Sequence, residues 1–178
     1  MEVLNMSELL EKMQTRRSVR KYKKDMVPRE MIDKIVTAGT YAASAMNKQS
    51  PIIIAVTNKE IRDNLSKLNA EIMGVNNDPF YGAPVVLIVL ADKNWGNRVY
   101  DGSLVMGNLM LAAHELGIGS CWIHRAKEEF ERPEGKAILN ALGIEGEYEG
   151  IGHCVLGYTE GDLPKALPRK ENYVYYIE

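Results

Sequence analysis

The chain has 178 residues, 46% of them apolar and 26% charged, with a formal charge of −2. That is enough for one domain with a sizeable core, taken as 1–178, and too ordinary a composition for a disordered chain. The near-neutral balance argues against a nucleic-acid binder, which needs a broad basic face, and no apolar run approaches the roughly 20 residues of a bilayer span.

The amino terminus, "MEVLNMSELLEKMQ", is acidic and amphipathic, with no basic start and no continuous apolar stretch, so no export signal is expected. Ser7 is placed to cap a first helix through Leu9, Leu10 and Met13 that ends near a cluster of arginines, where cations suit the helix dipole. A second helix is predicted from Pro28, turning Met31, Ile32, Ile35 and Val36 inward and stopping around Gly39. "PIIIAVT" and "PVVLIVLA" are β-branched runs without alternation, the pattern of strands covered on both faces, and are expected at the sheet's centre. A charged helix from Lys59 to about Met73 separates them.

Asp101 to Ser120 reads as a helix apolar on nearly every side, ending at Gly117 and Gly119. So few other elements are available to cover it that a second subunit is the expected partner, approaching over Gly102, Ser103, Gly107, Ala112 and Ala113. "PEGKAILNALG" is predicted as a short helix and "HCVLGY" as a third strand. The segment from Thr159 to Asn172 should run over the surface, and Tyr173 should begin a terminal strand that pairs with another chain. Cys121 and Cys154 show no CxxC spacing and sit in apolar surroundings that suit reduced thiols, so a cytoplasmic location is expected.

Three histidines without a clustered Cys/His pattern give no metal signature, and GxSxG, P-loop and GxGxxG motifs are absent. Chemistry is then expected from a bound organic cofactor and not from a catalytic side chain. "RRSVRKYKK" puts six cations in nine residues. Arg16, Arg17, Ser18 and Arg20 can converge two guanidinium forks and a hydroxyl on a phosphate monoester; equally, they can be solvated cations at a helix end. In "SAMNKQSP", Asn47 and Gln49 can each donate and accept, as the edge of a heteroaromatic ring demands, or serve merely as turn residues.

With "LGIGSCWI" and "LPRKENYVYYIE" in the same order, these motifs resemble the nitroreductase family of FMN-dependent oxidoreductases over almost the whole chain. The resemblance implies an α+β fold of three layers, α/β/α, around a mostly antiparallel sheet, with the C-terminal strand exchanged with the partner subunit of a homodimer. It implies that Arg16, Arg17 and Ser18 hold the FMN phosphate and ribityl chain and that Arg20 lies near flavin N1 and O2, stabilising the reduced ring. Ser44, Asn47 and Gln49 correspond to a loop over the ring. His124 and Arg125 in "WIHRA" correspond to the loop whose backbone N–H meets flavin N5, Arg169 to a late arginine that reaches the phosphate, and Asn69 to the mid-chain amide contact. The chain departs from the family at Ala43, where many relatives have proline, and at Leu167, where a basic residue is usual; either Lys165 substitutes or the phosphate has one partner fewer.

The implied function is ping-pong transfer of reducing equivalents from NADH or NADPH, through FMN, to a small nitroaromatic, quinone or enone-type acceptor, with no membrane or nucleic-acid partner. A flavin carrier, store or sensor without turnover is the alternative. His124 is expected as a pocket wall, His114 as an interior histidine, Cys121 as packing, and Tyr81 as a lid or a loop closure.

Overall fold

A computed structural model describes residues 7–178. The reading of Met1 to Met6 as the start of the acidic segment lies outside them. The elements run α1 (Glu8–Thr15), α2 (Arg29–Thr40), β1 (Pro51–Val56), α3 (Lys59–Met73), β2 (Val85–Asp92), α4 (Arg98–Glu115), β3 (Gly119–Ile123), α5 (Ala126–Glu131), α6 (Pro133–Ala141) and β4 (Tyr148–Gly157). The four strands pair antiparallel throughout, in the order β1-β2-β4-β3.

Strand β2 sits inside the sheet, and its period-2 alternation divides the core. Val86, Ile88 and Leu90 face a cluster with Leu65 of α3, Phe130 of α5 and Leu139 of α6. Val85, Leu87 and Val89 face Ile32 and Ile35 of α2 and Met106 and Leu109 of α4. Helices therefore cover both faces, in the three-layer α/β/α arrangement expected. The β2–β4 register slips between Val89 and Leu90, whose partners are Gly152 and Gly150, so Ile151 bulges from β4. There it meets Gly102 of α4: a Cβ on that glycine would come within 2.5 Å of the isoleucine side chain.

The expected place of β1, the end of α4, the packing of Gly102 and the start of α2 need correcting. β1 is an edge strand, not a central one, and its outer edge pairs with nothing among the described residues. Helix α4 stops at Glu115, because Gly117 at φ 71° ends it and Gly119 already belongs to β3. Gly102 of α4 packs on its own sheet and not toward a second subunit, whereas Tyr100, Leu104 and Gly107, on a face left for one to cover, are exposed. The tail from Tyr173, expected to pair with another chain, forms no strand within its own, and Tyr175 to Ile177 stand open to solvent. Pro28 caps α2 from outside and is not its first helical residue. No helix among the described residues is long and apolar enough to cross a membrane.

Candidate functional site

Helix α1 is held at its amino end by Ser7, whose Oγ accepts from the Leu10 amide at 3.4 Å, and releases the chain at Arg16, which takes extended angles (φ −56°, ψ 133°). Ser18 then bridges to Ser120 at the start of β3, and the Val19 amide donates to the Ser120 carbonyl at 2.9 Å. Four residues on, Tyr22 bridges to Thr159 just past β4. Extended chain turns alternate side chains the same way. Val19 goes into the core at 2% exposure while Arg16, Ser18 and Arg20 line a cleft of about 1180 Å³. Its far wall is the segment Pro164 to Arg169, so Lys165 and Arg169 join the early arginines there.

The cleft is lined by five cations, Arg16, Arg17, Arg20, Lys165 and Arg169, and by no carboxylate. Arg17 uses Nη1 on the carbonyls of Gln14 and Arg16, at 2.7 and 2.8 Å, and Arg169 donates Nη2 to the Leu167 carbonyl at 2.9 Å. Arg16 differs: its Nη1 is buried and has no hydrogen-bond partner among the described residues. A buried guanidinium nitrogen without an acceptor is costly, and an anionic ligand would remove the cost. Ser18 also lies against Cys121, whose thiol is pushed up by burial and only partly opposed by Arg20, Ser18 and Arg16, so it stays protonated as a packing group. Burial, then the charges of Lys12 and Arg16, hold His114 below its ordinary value, and its Nε2 lies 3.0 Å from Thr15 Oγ1, tying the end of α4 to the end of α1.

The second predicted group, Ser44, Asn47 and Gln49, forms a separate structure. Asn47 (φ 53°), Gln49 (φ 48°) and Met46 (φ 52°) all take left-handed angles that cost about 1 kcal/mol or more each for a side-chain-bearing residue. Gln49 Nε2 donates to Asn47 Oδ1 at 2.9 Å, and the Gln49 amide donates to Ser44 Oγ at 3.1 Å. The loop is anchored by Asp101, 2% exposed in the first turn of α4. This carboxylate accepts from the Ala45 amide at 3.0 Å and from Trp95 Nε1 at 2.8 Å. None of Ser44, Asn47 and Gln49 lines the arginine cleft. Helix α4 explains why: Asp101 holds the loop at one end and His114 the arginine segment at the other, about 20 Å apart at 1.5 Å per residue.

The third group follows β3. His124 and Arg125 are exposed, and Arg125 has φ 81° where the chain turns into α5. Asn69 is fully buried behind them: its Nδ2 donates to the His124 carbonyl at 2.8 Å and to Glu129 Oε1 at 2.5 Å. Asn69 therefore supports the loop from inside and presents no surface of its own to a ligand. Tyr81 (φ 56°) closes a loop clamped by Asp78, whose carboxylate takes Arg62 Nη2 and Ser66 Oγ, each at 2.5 Å.

The structure thus joins Arg16, Arg17, Ser18, Arg20 and Arg169 in one cleft and sets Ser44, Asn47 and Gln49 apart from it. Sequence reasoning missed Asp101, Glu129 and His153. The first had a signal, a lone acid opening an otherwise apolar helix; the other two sit in unremarkable stretches and meet only in three dimensions.

The family model described as the nitroreductase family matches residues 13–158. A Methanothermobacter thermautotrophicus protein named as an NADH dehydrogenase/NAD(P)H nitroreductase is 36% identical over 119 residues, 65% of this chain and 60% of the relative, so the match spans less than two thirds of that protein. An Archaeoglobus fulgidus protein named the same way is 32% identical over 162 residues, 88% of each chain. A solved nitroreductase with bound FMN from Bacteroides fragilis shares the fold at TM-score 0.86 and 29% identity, over 97% of this chain and 100% of that one.

Proposed function

Because the chain belongs to the nitroreductase family, we propose that the arginine cleft is an FMN site and that the protein is a flavin oxidoreductase fed by NADH or NADPH. The observation that carries the reading is the cleft's lining: five cations, no acid, and one buried guanidinium nitrogen awaiting an acceptor. A phosphate monoester dianion supplies the oxygens these donors lack. When bound, FMN supplies two-electron chemistry, accepting hydride from the nicotinamide and passing reducing equivalents to a small nitroaromatic, quinone or enone-type acceptor.

The side chains supply binding, orientation and charge. Arg16 and Ser18 hold the phosphate, with Arg17, Lys165 and Arg169 around it; Lys165 takes the place of the basic residue missing at Leu167. Arg20, exposed at the cleft's edge, offers a positive charge to the N1 and O2 side of the ring and so favours its anionic reduced form. Asn47 and Gln49 offer amides to a ring edge, and the Trp122–Arg125 segment lies at the far end of β3 from the phosphate cradle.

One chain cannot close this site, since α4 separates the arginine cleft from the Asn47 loop. A two-fold pairing along α4 brings the Asn47 loop of one copy to the arginine cleft of the other. The exposed residues Tyr100, Leu104 and Gly107 follow each other at helical spacing on the outer face of α4, and with Leu9 and Met13 of α1 they supply the apolar surface for it. The unpaired outer edge of β1 is a place for the partner's aromatic tail to add a strand. We therefore take the working unit to be a homodimer of one FMN domain per chain. Two free, buried cysteines support a cytoplasmic location.

The test is anaerobic: FMN-loaded protein should bleach on addition of NADH or NADPH and recover its colour with a quinone or nitroaromatic. Colour that persists with both nicotinamides would instead favour a flavin carrier or sensor.

A further inference from the structure

Behind the arginine cleft lies a titratable group that the flavin reading leaves without a task. His114, half-buried in the last turn of α4, places Nε2 3.0 Å from Thr15 Oγ1. Thr15 Oγ1 gives its own proton to the Glu11 carbonyl at 2.8 Å, so toward the imidazole it accepts, and Nε2 carries a hydrogen. The neutral ring is therefore the Nε2–H tautomer, and a second proton goes to Nδ1.

Thr15 ends α1 and is followed at once by Arg16, whose extended angles turn the chain into the cradle. A hydrogen bond on Thr15 therefore fixes the point from which Arg16 and Arg17 set out. His114 also shares a cavity of about 150 Å³ with Arg17, Ser120 and Thr159, and Arg17 lines the large cleft as well. The charged groups around the ring are Lys12 of α1, Arg16 and Arg17 beyond its end, and Glu115 of α4; the other residues of the cavity carry no charge. Burial, then Lys12 and Arg16, disfavour the imidazolium; Glu115 opposes them, and Arg17 adds a smaller push. Lys12 and Glu115 pair at 3.3 Å and partly offset each other, whereas Arg16 and Arg17 face a cleft lined by no carboxylate. Their push is the part that a bound anion removes.

We propose that His114 is a proton-linked positioning residue of the phosphate cradle: it holds Thr15 in either protonation state, and filling of the cleft by the FMN phosphate draws a proton onto its Nδ1. The inference rests on the FMN reading above. A dianion beside Arg16 and Arg17 neutralises the charge that keeps the ring unprotonated, so FMN favours the imidazolium. By linkage, the imidazolium favours FMN to the same degree. Nε2 donates to Thr15 before and after the change, so the coupling needs no rearrangement of α1 or α4. It acts at and below the ordinary histidine value of about 6.5. In that range the phosphate's own protonation, at about pH 6, weakens binding, and the imidazolium counters it.

Proton NMR follows the ring directly. In a pH titration of the wild type, the midpoint of the His114 Hε1 resonance should lie at higher pH with FMN bound than in the apoprotein. His114→Gln keeps an amide donor for Thr15 and cannot titrate. Its FMN Kd should match wild type at about pH 8, where the histidine is neutral. Toward about pH 5.5 it should become weaker than wild type by about threefold, the size of a partly screened charge interaction. A midpoint that bound FMN leaves unmoved overturns the proton link and leaves the FMN reading standing. A His114→Gln protein whose Kd keeps a constant ratio to wild type across that range overturns it too, because a purely structural role gives a loss independent of pH. Should His114→Gln not fold, the wild-type midpoints decide alone. Failure of the wild type to take up FMN at any pH removes both readings.

Discussion

Replacing Arg16 by alanine separates a binding guanidinium from a structural one. Its Nη1 is buried without an acceptor, so the apoprotein already bears a desolvation cost that the substitution relieves, against some loss of packing by the aliphatic stem. The two effects are each about 1 kcal/mol, and for a chain of this size they should leave the apoprotein's Tm within about 4 °C of wild type. Binding is another matter. A charge-assisted hydrogen bond to phosphate is worth about 1.5–3 kcal/mol, which weakens FMN by about 10- to 150-fold. Arg16→Lys keeps the charge but not the fork and should fall between. Flavin-fluorescence titration gives the affinities, and melts with and without FMN give the stabilities. An unchanged Kd in Arg16→Ala, or an apoprotein destabilised by more than about 3 kcal/mol, would refute the argument.

Asp101→Ala strips the Ala45 amide and the Trp95 indole of their shared acceptor and should cost about 2–4 kcal/mol in urea denaturation; a loss under about 0.5 kcal/mol would show that the anchor is idle. Burial pushes the Asp78 carboxyl up, but hydrogen bonds from Arg62, Ser66, Gly82 and Phe80 more than reverse it and hold it below its usual value. Its folded pKa is thus depressed, so the stability it adds is present above the unfolded value of about 3.9 and fades as pH falls through the folded one. Asp78→Asn should differ from wild type most at neutral pH and converge with it in acid; a difference that does not shrink in acid contradicts that sign. Leu104→Glu, at an exposed position on α4, should leave the monomer folded but break the proposed dimer in analytical ultracentrifugation and lower FMN affinity with it. Removal of residues 172–178 should weaken the dimer in the same assay, and an intact, flavin-loaded dimer in either variant counts against the pairing along α4.

Much of the fold was legible because strong periodicity and caps act locally. Asn58, whose Oδ1 accepts from the Ile61 amide, and Gly74 at φ 70° bound α3 at the predicted Lys59 and Met73. What failed depended on partners distant in sequence. "PIIIAVT" and "PVVLIVLA" look alike, yet only β2 has strands on both sides, and an apolar run does not say how many neighbours it has. β3 was hidden because Gly119, where a Cβ would strike Thr159 and Val19, reads as a helix stop. α5 escaped because it is six residues long and charged on its outer side. The tail's β-branched and aromatic residues read as a strand for another chain, and no edge within its own chain receives them.

The site divides the same way. The arginine run was readable as a cluster, although its convergence comes from extended alternation and not from a helix end. Lys165 and Arg169 reach it from almost 150 residues away, and only the family resemblance pointed to that arginine. Asn69 and Glu129 are 60 residues apart, and neither has a neighbour in sequence that would mark it as part of a site.

Equilibrium titration of flavin-free protein with FMN, followed by protein and flavin fluorescence, tests the arginine cradle directly, with riboflavin as the phosphate-free comparison. Saturable uptake of one FMN per chain is expected, with riboflavin bound at least about 100-fold more weakly, since two or more charge-assisted contacts vanish with the phosphate. Equal affinity for the two flavins, or no uptake of FMN at all, would contradict it.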